Sequence, residues 1–128
     1  MAVLVATLAA LFAQAAPAPT AAPPTEMTQY FMVFLRRGPA WTSAVTPETR
    51  AVSAGHMANI QAMTKAGKLL VAGPFADQEG ERALAGIFIL KVATIEEAKA
   101  LVETDPAVQA GRFVYEIAPW YGPTTLRY

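Results

Sequence analysis

His56 is the one histidine of a 128-residue chain that contains no cysteine. Its ordinary pKa near neutrality makes it the natural group to accept or release a proton. It stands four residues after Val52 and four before Ile60, on what reads as the apolar stripe of a helix, so it faces inward. Two readings follow: an acid/base beside a pocket, or a histidine packed into the core and satisfied there. Ser53, one helical turn earlier, shares that face and is placed to hydrogen-bond with His56 or a ligand. No nucleophile elbow surrounds it, so it is not read as a nucleophile. Arg36 and Arg37 close an apolar run and, by the two-residue period of a strand, face opposite sides. One of them, with Arg36 as the candidate, is positioned to hold a carboxylate or phenolate; the plainer reading is a solvated strand end. Gly73 and Pro74 suit a pocket rim where backbone approaches a ligand, or equally a tight turn. Tyr115 and Trp120 are candidates for lining a cavity or for simple packing.

Other chemistries lack their residues. With one histidine and no cysteine, a zinc or iron site would require several converging carboxylates, and no HxxE, HExxH or DxDxDG spacing occurs. No glycine-rich phosphate loop is present, so neither a metal nor an organic cofactor is expected. Ten basic and ten acidic residues balance to zero, which argues against a nucleic-acid partner.

The elements that must position His56 can be read in order. Residues 30–35, YFMVFL, form a continuous apolar and aromatic run ending at Arg36-Arg37-Gly38-Pro39, a strand covered on both faces. Thr46 caps a helix with Pro47 at its first position, and Gly67 ends it, giving a helix over 47–66 that carries His56. A short strand at 68–71 runs into Gly73-Pro74-Phe75; a polar turn at 77–81 follows, then a third strand at 84–92, the two strands making a hairpin. Thr94 and Glu97 match a capping box for a second helix, with Ala98, Leu101 and Val102 on its buried stripe and an end near Thr104. Asp105-Pro106 starts a turn, and Arg112 opens a fourth strand to Trp120 with Phe113, Tyr115 and Ile117 on one face. The order βαββαβ predicts an α+β, ferredoxin-like domain: a four-stranded antiparallel sheet with two helices on one face. The first and third strands are apolar on both sides, so the bare face calls for a second subunit's sheet and an isologous homodimer.

The stretch from Tyr30 to Trp120 resembles the YCII-related (YciI-like) family. The resemblance rests on the aromatic first strand, the helix carrying His56 with Gly67 eleven residues later, LLVAGPF at 69–75, and EEAKALVETDPAVQAG at 96–111. It implies a ferredoxin-like fold, a dimeric α+β barrel, and a pocket between helix and sheet in which the helix histidine is functional. It also implies small-molecule enzymes, some of them dehydrochlorinase-like lyases. Where several members carry an acidic residue nine positions after the histidine, this chain has Lys65, so a dyad within the first helix lacks its carboxylate. Asp105, at the matching Asp-Pro turn, is the carboxylate that the resemblance places near the site, orienting His56 and fixing its tautomer. A side chain merely bonding the local backbone of the turn would equally account for Asp105.

All twenty charged side chains lie from Glu26 onward. Residues 2–16 are almost wholly apolar but shorter than the roughly 20 needed to span a bilayer, and Ala13 and Ala15 form an A-x-A site. This predicts a signal peptide at 1–15, a Pro/Ala-rich linker at 16–28, the domain at 29–121 and a tail at 122–128. The mature protein is then periplasmic or secreted, with no membrane anchor; translation from Met27 would instead leave it in the cytoplasm. Two functions are expected of such a chain: a cofactor-free lyase or isomerase with His56 as acid/base, or a non-catalytic dimer holding a small ligand in the same cavity.

Overall fold

The computed structural model describes residues 26–76 and 84–127. The expected signal peptide, nearly all of the linker and the polar turn at 77–81 lie outside these residues. Four strands, β1 (Met27–Arg37), β2 (Leu69–Pro74), β3 (Leu84–Leu90) and β4 (Phe113–Pro123), form one sheet in the order β2-β3-β1-β4, every neighbouring pair antiparallel. The helices are α1 (Pro47–Lys65), α2 (Ile95–Glu103) and a single turn, α3 (Pro106–Gln109). This is the α+β, ferredoxin-like arrangement expected from the βαββαβ order, with α3 inserted where a turn was expected.

The ends of α1 are written in its sequence. Thr46 accepts from the Thr49 N–H, Thr49 Oγ1 accepts from the Thr46 N–H, and Pro47 follows where no N–H is needed. At the other end Gly67 takes φ +71°, the Gly67 N–H donates to the Thr64 carbonyl and the Lys68 N–H to the Met63 carbonyl. That pair of bonds closes the helix and turns the chain directly into β2. The second cap departs from expectation. Thr94 does accept from the Glu97 N–H, but the Glu97 carboxylate takes the Ala93 N–H and pairs with Lys68 instead of reaching back to Thr94. The lysine, in the turn between α1 and β2, draws the carboxylate outward and ties that turn to α2.

Strand register decides the faces. Phe31, Val33 and Leu35 point to the helices together with Leu90 and Phe88 of β3, and Ile117 and Tyr115 of β4. Ile60 and Met63 from α1 and Ala98 and Val102 from α2 complete this core. Full burial of a side chain such as Val33 or Leu90 contributes about 1.5–3 kcal/mol, so this single layer carries most of the domain's stability. The opposite face carries Met32, Phe34, Val71, Ile87 and Trp120, apolar and only partly covered.

Two boundaries shift. β1 begins at Met27 and β4 runs to Pro123 because the two pair along their whole lengths, Met27 opposite Pro123. The sheet therefore takes in the last residues assigned to the linker and the first of the tail. The Tyr30 hydroxyl, donating to the Pro123 carbonyl at 2.8 Å, fastens this extension.

Candidate active site

His56 projects from the middle of α1 toward the sheet, its ring 6.0 Å from that of Phe88 and nearly parallel to it, with Phe113 edge-on at 5.4 Å. Its Nδ1 lies 2.6 Å from Oδ2 of Asp105. Asp105 has no exposed surface. Its other oxygen, Oδ1, accepts the Ala107 N–H at 2.8 Å and so caps α3. Asp105 thus makes both of the contacts that the sequence left open, one with each oxygen of the same carboxylate.

The approach of the helices makes this pairing possible. A Cβ on Gly55 would stand 2.9 Å from Cγ of Pro106, closer than a ring carbon tolerates, so only glycine lets α3 lie this near to α1. Pro106 opens α3 at the position where its missing N–H costs nothing.

A carboxylate only accepts hydrogen bonds, so Nδ1 is the donor in this contact, and in the neutral imidazole the lone pair is then at Nε2. Nε2 has no hydrogen-bond partner among the described residues, and it is not one of their enclosed, unsatisfied atoms. That nitrogen is open to an incoming molecule. Beside it lies a chamber of about 280 Å³ between α1 and the ends of β2 and β3. Leu35, Met57, Ile60, Ala72 and Phe88 line it, with Gly73, Pro74 and Gly86 at its strand side; His56 is its one titratable group. A cavity of about 150 Å³ holds a benzene ring, so this one accommodates a single substituted ring.

The other expected site residues distribute as follows. Gly73 and Pro74 line the chamber, and no described residue crowds Gly73. Ser53 makes no hydrogen bond to His56 and lines a smaller cavity next to it. Arg36 lies across the sheet from His56, in the row of Met32 and Phe34, with its guanidinium 3.4 Å from Glu116. Arg37 has the parity of Leu35 and holds its guanidinium 4.7 Å over the Trp41 ring. Tyr115 donates to Glu103 and Trp120 packs 6.0 Å from Tyr30; neither lines the chamber. Met57, Phe88 and Phe113 were missed by sequence reasoning. Phe113 and Phe88 had a signal, since both are aromatic and strand parity puts both on the helix side. Among the described residues no three His, Cys, Asp or Glu side chains converge on a metal-sized site.

The chain belongs to the YCII-related domain family, whose model matches residues 30–121. Among solved structures it is similar to 5-chloro-2-hydroxyhydroquinone dehydrochlorinase from Burkholderia phenoliruptrix AC1100, determined in complex with 2,5-dihydroxybenzoquinone. The identity is 24% and the TM-score 0.51, covering 71% of this chain and 92% of that one, which establishes the common fold. A comparison with curated proteins finds no significant match.

Proposed function

We propose that this protein is a cofactor-independent lyase or isomerase acting on a small, largely apolar molecule held in the chamber, with His56 as the acid/base. The observation that carries the reading is the 2.6 Å contact between His56 Nδ1 and the buried Asp105 carboxylate, with Nε2 left open beside an apolar space. In the forward direction Nε2 takes a proton from a substrate carbon. The electron pair of that C–H bond forms a double bond and expels a leaving anion, or is reprotonated elsewhere from the same nitrogen. Asp105 opposes the positive charge that the imidazole gains, and the apolar walls strengthen that interaction. The activity named for the similar dehydrochlorinase is an elimination of this kind and supports the class of reaction, not the substrate.

The reading includes an exported mature chain, from the apolar N-terminus with its A-x-A site, and a homodimer in which the sheet face bearing Met32, Phe34 and Ile87 is covered by a second copy.

Its test is to follow the His56 ring signals by NMR across pH while adding phenols, lactones and carboxylates, and to assay each compound for conversion by the native protein and by H56Q. A titrating His56 that responds to one compound class, with conversion lost in H56Q, is expected. A ring signal unmoved by pH and by every compound would sink the reading, and binding without conversion would leave a ligand-holding protein.

A further inference from the structure

His56 borders more than the apolar chamber. With Met57 and Phe113 it also walls a second cavity of about 120 Å³, which adds Ser53, Ala107 and Arg112. Ser53 and Arg112 continue into an open crevice of about 420 Å³, walled further by Trp41, Thr42, Thr49 and Arg50. His56, Met57 and Phe113 thus border both the uncharged, ring-sized chamber and the cavity that shares Ser53 and Arg112 with the basic crevice.

Arg112 is fixed in place. Its backbone N–H donates to Ala107 and its carbonyl accepts from Gly38, so both ends of the residue are held by neighbouring segments. Its guanidinium lies 5.0 Å from the centre of the Trp41 ring, and its only hydrogen bonds among the described residues are two long ones, 3.4 Å each, to the Thr49 and Thr42 carbonyls. No described carboxylate lies within ion-pair distance of Arg112 or of Arg50. A planar guanidinium with unused donors, backed by an aromatic ring and lining a crevice without an acid, is matched to a carboxylate.

We propose that Arg112, with Arg50 lining the same crevice, binds the carboxylate of an organic acid whose apolar ring lies in the chamber, so that His56 meets the carbon between the two. The substrate class is then a small aryl or cycloalkyl carboxylic acid. The assignment of catalysis to such an acid rests on the proton-transfer reading of His56; the binding itself does not.

Phenylacetate and its neutral, equally shaped amide serve as probes, with binding followed by amide and side-chain NMR on the whole domain. The acid is expected to shift His56 and Arg112 signals together and to bind about tenfold or more tightly than the amide. In R112Q that preference disappears while amide binding is retained, and R112K recovers part of it. Added salt weakens the acid alone, which gives a readout on the native protein should R112Q fold poorly. Equal affinity for acid and amide, no binding of the acid, or an unchanged preference in R112Q overturns the anion site. If only neutral ring compounds move His56, the anion site falls and the proton-transfer reading stands; if acids bind through Arg112 but His56 proves dispensable for conversion, the reverse holds.

Discussion

The two long helices lie on the same face of one sheet but are seated differently. Ala98 and Val102 of α2 have no exposed surface and sit in the cluster with Val33 and Leu90, so the sheet beneath α2 is filled. On α1 only Ile60 and Met63 are buried, both in its second half, while the stretch from Val52 to Met57 stands over cavities. The difference lies in the strand residues below. Ala72, Ala85 and Gly86 line the chamber under α1 with little or no side chain. One half of the domain is therefore built for stability, and the other gives up packing to keep a space open beside His56.

Breaking the dyad produces the largest expected effect on the hollow side. In D105N the amide can still accept from Ala107, but its nitrogen faces His56 Nδ1 and forces the imidazole into the other tautomer. Conversion of any identified substrate is expected to fall by about 10²–10⁴-fold while the fold persists, measured by steady-state rates beside a thermal melt. Near-native rates in D105N would show that His56 does not work through Asp105.

The contrast in packing is tested by truncation on each side. L90A removes a fully enclosed side chain and should lower the unfolding free energy by about 2–5 kcal/mol in urea titration. M57A, at a residue 52% exposed over the chamber, should stay within about 0.5 kcal/mol of the native protein. Similar losses in the two variants would erase the distinction between a filled and a hollow half.

The smallest effect concerns the link between the α1–β2 turn and α2. The hydrogen bond from Lys68 first, and that from the Ala93 N–H second, hold the Glu97 carboxyl below its ordinary value of 4.5. A carboxyl with a depressed folded pKa adds stability that is present above about pH 4.5 and fades as pH falls through the folded value. E97Q should therefore melt slightly below the native protein at pH 7 and converge with it in acid; a gap unchanged at pH 3 would refute the ionic contribution.

Much of this was legible beforehand, for definable reasons. Caps and breakers are local, so Thr46, Pro47 and Gly67 fixed the ends of α1, and strand periodicity placed the apolar runs. The pairing of His56 with Asp105 spans 49 residues, and only the family resemblance brought the two into proximity. Pattern alone was silent on it because contact depends on how near α3 comes to α1, which Gly55 controls through its missing side chain. The arginines show the same limit. Their alternation correctly separated Arg36 from Arg37, yet which of them shares the side of His56 depends on register with β3 and β4. Arg112 gave no signal at all, being one more basic residue at a strand start until the loop at 38–46 wraps beside it.

At Gly73 and Gly86 the chamber is bounded by main chain, and a Cβ on Gly86 would lie 2.7 Å from the Gly73 carbonyl oxygen. The Gly86 part of that wall is closed to variation, because no side chain can be added there without moving one strand off the other, whereas a Cβ at Gly73 meets no described atom. Altered selectivity is open at Gly73, Met57, Ala72 and Phe113, a short and tractable set of positions for remodelling the protein toward new substrates.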